Sequence, residues 1–178
     1  MIEPLQSLLA PNALEGLTTR PLPELRDLRV QCSQVENDIS MARRVAQGRL
    51  DIVGHEVRRR SGDEGDAPSD NGLLFDLPDV LAEHSSGAPS GRPVNVAEPG
   101  EVALKMVERL DRAASPADLA GVDQLSEQDL RELFERIRGF EVELSAVRRQ
   151  LHERIDALQS EIGRRYRDGE ASIDNLLS

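Results

Sequence analysis

The sequence predicts an all-α protein: a long antiparallel two-helix coiled coil with a disordered acidic linker and one or more short accessory helices. Three observations predict it. Two long segments are dominated by Leu, Ala, Glu and Arg, with apolar residues at close to heptad spacing. Aromatics make up 2% of the 178 residues and Trp is absent, so a narrow helix-helix seam suits the inventory of large side chains better than a deep globular core. Between the long segments the chain turns to Gly, Pro, Ser and Asp, a composition that joins helices rather than extending them.

Taken in order, residues 1–20 hold Pro4 and Pro11, precede Pro21, and read as a flexible leader containing a short helical turn. The first coiled-coil helix occupies 21–60, with a seam of Leu25, Leu28, Cys32, Val35, Ile39, Val53 and Val57, and stops at Ser61-Gly62. Arg58, Arg59 and Arg60 fall in its last turn, where cations favour the helix dipole, and that accounts for the run without a nucleic-acid patch. Cys32 sits on the seam, as a small buried hydrophobe does, and as the sole cysteine it forms no disulfide within the chain.

Residues 61–99 form the acidic flexible linker. Asp63, Glu64, Asp66, Asp70, Asp76, Asp79, Glu83 and Glu98 stand against Arg92 alone, a net charge of −7 out of −11 for the chain, and such a segment buries too little apolar surface to order itself. One island, Leu73 to Leu81, has apolar content: it is either a short helix docked on the protein's own coil or a binding segment for a basic partner. An accessory helix lies within 100–125, with Val102, Met106, Val107 and Leu110 on one side, and Ser115-Pro116 caps a further short turn through Leu119. Ser126-Glu127-Gln128-Asp129 opens the second coiled-coil helix, 126–168. Its seam runs through Phe134, Ile137, Phe140, Leu144, Val147, Leu151, Ile155, Leu158 and Ile162; Gly169 stops it, and 169–178 form a tail.

The two long helices share a spaced set of polar residues, 105 positions apart: Glu36, Ser40, Arg43, Gln47 and Asp51, then Glu141, Ser145, Arg148, His152 and Asp156. Steps of four, three, four and four keep each set within roughly 80° of helical arc, along about 22 Å of helix. The residue before each polar position is apolar, so in both helices the row runs along the same flank of the seam. Arg44 and Arg49 recur as Arg149 and Arg154 at the same offset, which makes them secondary candidates for the same site. If the helices pair antiparallel, an approximate two-fold axis relates the rows, and a two-fold ligand meets the same groups twice. The bland alternative is two similar solvated helix faces.

A net charge of −11 argues against nucleic acid, whose binding requires many phosphates to be neutralised. Locally the balance reverses: residues 36–60 carry six arginines against four acids, which suits a compact phosphate-bearing ligand. Arginine donates two parallel bonds to guanine O6 and N7, and a carboxylate accepts from the guanine N2 amine, so Arg43 and Arg148 with Asp51 and Asp156 form a guanine-reading set. The same arginines pair equally well with phosphate, and the sequence leaves base and phosphate contacts open. Ser40, Ser145, Gln47 and His152 suit phosphate, ribose or base contacts. Catalysis has little to build on: His55, His84 and His152 lack ligand-like spacing, no Gly-rich phosphate loop is present, and no catalytic or metal residue is assigned. The N-terminus lacks a basic signal region and no stretch approaches the roughly 20 apolar residues of a membrane span, so a cytoplasmic protein is expected.

The doubled pattern, Glu-x-x-x-Ser-x-x-Arg-x-x-x-[Gln/His]-x-x-x-Asp, closely resembles the signature of the RsiG family, the cyclic-di-GMP-dependent anti-sigma factors of sporulating actinomycetes. The resemblance covers the two long helices, and His152 departs from it where the first copy has Gln47. It implies an antiparallel coil holding an intercalated pair of cyclic-di-GMP molecules on the doubled row. It further implies that the loaded coil sequesters a WhiG-type sigma factor of the flagellar and sporulation class from core RNA polymerase, repressing its transcription. No other cofactor, no direct nucleic-acid contact and no membrane partner is expected. Without the resemblance, the competing reading is a ligand-free coiled-coil scaffold or adaptor.

Overall fold

The computed structural model describes residues 2–61 and 98–169, which form helices and turns with no strand among them. The order is α1 (Glu3–Leu9), α2 (Leu22–Ser61), α3 (Glu101–Ala113), α4 (Pro116–Ala120), a 3-10 turn (Val122–Gln124) and α5 (Glu127–Arg167). Of the linker expected over 61–99, Ser61 ends α2 and residues 98 and 99 precede α3, while 62–97, with the Leu73–Leu81 island, lie outside the described residues, as does the tail beyond Gly169.

Helices α2 and α5, of 40 and 41 residues, make the predicted antiparallel coil. Their register is fixed by cross-helix contacts: Arg43 reaches Glu141 and Ser145, Arg148 and His152 reach Glu36, and Gly54 faces Phe134. Leu25, Cys32, Val35, Ile39, Ala42, Ala46 and Val53 of α2 are buried in one core with Leu130, Leu133, Ile137, Phe140, Leu144, Leu151 and Leu158 of α5. In this register the small Ala42 and Ala46 fall opposite the bulky Leu144 and Phe140, so the interaxial space is filled evenly. Ser126 caps α5 by accepting from the Asp129 amide, and Ser115 caps α4 reciprocally with Asp118, both as the sequence signals. Cys32 is buried as expected, and burial pushes its thiol up from the ordinary value while the Arg154 charge opposes the shift. No described helix is long and apolar enough to cross a membrane.

The N-terminal 20 residues differ from the flexible leader expected. Helix α1 sets Leu5 and Leu8 into the core, and residues 10–20 close a compact turn in which Gly16, at φ 67°, adopts the left-handed conformation and its carbonyl accepts from Thr19 and Arg20. Two anchors and a run of backbone hydrogen bonds order the segment, though it is too short to show a helical period.

The duplication runs well beyond the polar row. Glu56, Arg59 and Arg60 recur as Glu161, Arg164 and Arg165, and Pro11 and Gly16 as Pro116 and Gly121, all at the 105-residue offset. The equivalence holds in space. Arg60 donates to the carbonyls of Val122 and Leu125, and Arg165 to those of Leu17 and Arg20. The unit is thus a short helix, a turn-rich corner and a long helix, present twice about a pseudo-two-fold axis. Helix α3 is the extended counterpart of α1, and the Gly100 amide at its start donates to Asp38 at 3.0 Å. Asp38 lies about 200° around α2 from Glu36, so α3 covers the flank opposite the polar row.

The repeated clasps carry a pH consequence. Hydrogen bonds from Arg59 and Arg60 hold Glu56 down at about 2, and those from Arg164 and Arg165 hold Glu161 at about 2, against an ordinary 4.5. Carboxyls lowered in the folded state contribute stability that is complete above 4.5 and is lost as the pH falls toward 2. Denaturant midpoints should therefore drop across that window, and the double substitution Glu56→Gln, Glu161→Gln should flatten the drop. An equally steep fall in the double variant would place the acid sensitivity elsewhere.

Candidate functional site

Helical spacing and register bring the central residues of both rows into two hydrogen-bonded clusters, one on each side of the pseudo-two-fold axis, on the flank left open by α1 and α3. Glu36 Oε1 accepts from Ser40 Oγ at 2.7 Å, from Arg148 Nε at 2.9 Å and from His152 Nε2 at 3.1 Å. Across the pseudo-two-fold axis, Glu141 Oε1 accepts from Ser145 Oγ at 2.8 Å and from Arg43 Nε at 3.0 Å, and Arg43 Nε also reaches Ser145 Oγ at 3.0 Å. An ionised carboxylate only accepts, so the His152 tautomer in this contact carries its hydrogen on Nε2.

The two Arg–Glu bridges cross from helix to helix with side chains 11–17% exposed, half-sheltered yet reachable from solvent. Burial of Glu36 works against its charge, but hydrogen bonds from Ser40 and Arg148 and the charges of His152 and Arg148 outweigh it and hold the carboxyl below its usual range. The register orders the site outward from the axis: the two serines, then the arginines, the glutamates, Gln47 and His152, and at the two ends Asp51 and Asp156. Both aspartates are exposed, Gln47 is half-buried, and Arg44 and Arg149 project outward beside the row. A solvent-facing strip of donors and acceptors with two-fold repetition can bind a flat, two-fold, anionic ligand through its edges.

Arg49 and Arg154, expected as secondary ligand groups, are placed otherwise. Arg49 is buried and donates from Nη1 to the Ala114 carbonyl at 2.6 Å and from Nη2 to Asp111. Arg154 donates from Nε to the Leu8 carbonyl at 2.6 Å and from Nη2 to those of Leu9 at 2.9 Å and Ala10 at 3.2 Å. Each thereby satisfies carbonyls left open at the C-terminus of a short helix and ties that helix to the coil. The signal was in the sequence: thirteen residues beyond Glu36 is about 220° of turn, on the flank away from the row. Sequence reasoning also missed that Glu36 and Glu141 are the cross-helix partners of the arginines, because that depends on the register between helices.

As a class, the chain is an all-α protein built on a two-helix scaffold with a doubled polar row and back-packed accessory helices. A family model described as RsiG-like matches residues 11–83 and 116–178, two segments that start at the equivalent prolines Pro11 and Pro116 and each contain one long helix and one row. The chain belongs to the RsiG-like family, a family of anti-sigma regulators rather than of enzymes. A comparison with curated proteins finds no match.

Proposed function

We propose that this protein is an anti-sigma factor that loads two molecules of cyclic-di-GMP on the doubled row and, once loaded, sequesters a WhiG-type sigma factor of the flagellar and sporulation class. The observation that carries the reading is the pair of two-fold-related bridges, Arg43–Glu141 and Arg148–Glu36, on one open flank of the coil. Each bridge pairs a bidentate donor with an acceptor, the two edges by which guanine is read. Family membership supplies the sigma-factor partner class. A pair of these dinucleotides brings roughly four phosphodiester charges, which Arg43, Arg148 and the outward-projecting Arg44 and Arg149 are placed to offset. Chain acidity, at a net charge of −11, complements a basic DNA-binding partner.

Two measurements test it together. Calorimetric titration with cyclic-di-GMP should show about two ligands per chain and a far weaker response to cyclic-di-AMP, whose adenines lack the O6 acceptor and N2 donor. Co-purification with a WhiG-type sigma factor should depend on added cyclic-di-GMP. Failure to bind either dinucleotide would leave a ligand-free coiled-coil scaffold as the function; ligand-independent capture would separate the sigma partner from the row.

A further inference from the structure

The pseudo-two-fold symmetry of the row breaks at one position of chemical consequence. In the half built around Glu141, the place one turn beyond the arginine in the other copy is taken by Gln47, a neutral amide. In the half built around Glu36, the equivalent place is His152, whose side chain is 44% exposed and whose Nε2 lies 3.1 Å from Glu36 Oε1. Glu36 thus accepts from three side chains, Ser40, Arg148 and His152, and of a hydroxyl, a guanidinium and an imidazole only the imidazole type serves as a proton switch.

Resting on the reading that cyclic-di-GMP occupies the row, we propose that His152 is a positioning residue that makes the Glu36 half of the site proton-linked, so that loading of the row takes up a proton while the Gln47 half loads without one. The argument follows the fate of Glu36. A ligand that draws Arg148 to its own acceptors removes a charged donor from a carboxylate only 9% exposed. Ser40 alone leaves that charge poorly compensated. A protonated His152 replaces the lost cation at hydrogen-bond distance, whereas a neutral ring supplies a hydrogen bond without the charge. The anionic ligand beside the ring acts in the same direction. Loading is therefore favoured as pH falls through the histidine range.

Glu36 of α2 contacts the ring, with Arg29 two turns before it on α2; on α5 the charged residues within one turn of His152 are Arg148, Arg149, Glu153, Arg154 and Asp156. Helix α1 packs on the other flank of α5, through Arg154. Of the other histidines, His55 lies on the exposed face of α2 near the far end of the coil, and His84 lies outside the described residues.

The test is titration of the full chain with cyclic-di-GMP at pH 6 and pH 8, repeated near pH 7 in buffers of different ionisation enthalpy so that proton uptake is read directly. Wild type should bind several-fold tighter at the lower pH, the direction expected when an imidazole takes up a proton on loading. His152→Gln, which rebuilds the first copy's residue, should lose the pH dependence and the proton uptake, and Gln47→His should add a second proton. Equal pH slopes in wild type and His152→Gln would overturn this inference while leaving the binding site intact. Absence of cyclic-di-GMP binding at either pH would overturn the proposed function and this inference with it.

Discussion

Leu151→Asp is expected to abolish the cooperative thermal unfolding of the chain and, with it, any binding that depends on the coil. Leu151 is fully buried and lies near the middle of the α2–α5 seam, where the register sets Val35 opposite it. Truncating a leucine in such a place costs about 2–5 kcal/mol. Aspartate adds a charge with no partner in an apolar layer, which either desolvates a carboxylate or forces its protonation at a further cost of several kcal/mol. The sum is of the order of the whole stability of a typical domain, about 5–15 kcal/mol. Leu151→Ala should retain a cooperative transition at lower temperature, which separates loss of volume from burial of charge. Circular dichroism melts of both variants decide the matter: a wild-type-like transition in Leu151→Asp would mean that this residue does not face a seam.

How much of this was legible beforehand follows from the length of each signal. The seam spans some forty residues in each long helix, so its near-heptad period, its antiparallel pairing and the burial of Cys32 could be read from the sequence and are found in the structure. The row could be read because all its members lie on one helical stripe. Helix α1 could not, since seven residues show no period and its order comes from Leu5, Leu8 and the Arg154 clasp, a contact between residues about 145 apart. Recurrence at a fixed offset marks Arg49 and Arg154 as ligand candidates, but their angular position, on the flank away from the row, turns them to the carbonyls of the short helices instead. The same offset followed to the ends of both helices would have revealed Glu56, Arg59 and Arg60 as a second duplicated set. Which glutamate meets which arginine needed the register, and no single-helix pattern contains it.

Replacing both central arginines, Arg43→Ala with Arg148→Ala, is expected to remove measurable cyclic-di-GMP binding while the chain stays helical. Each arginine is the one long cationic donor of its half-site's inner network, and a lost bidentate charge-assisted contact costs about 1–3 kcal/mol, or roughly five- to 150-fold in affinity. Two such losses on one two-fold ligand reinforce each other, because the ligand pair is held from both helices at once. Each variant also strips a carboxylate of its cross-helix cation, but Glu36 retains Ser40 and His152, and Glu141 retains Ser145. The seam beneath, from Leu25 to Leu158, is untouched, so the melting temperature should fall by several degrees rather than the fold collapse. Arg44→Ala, which removes an exposed cation beside the row, should weaken binding far less and lose part of its effect at high salt, as a screened surface charge does. The decisive comparison is calorimetric affinity beside the helical signal for wild type, the double variant and Arg44→Ala. Retained tight binding in the double variant would move the ligand off the row; loss of helicity in it would show that the two bridges, and not the seam alone, hold α2 against α5.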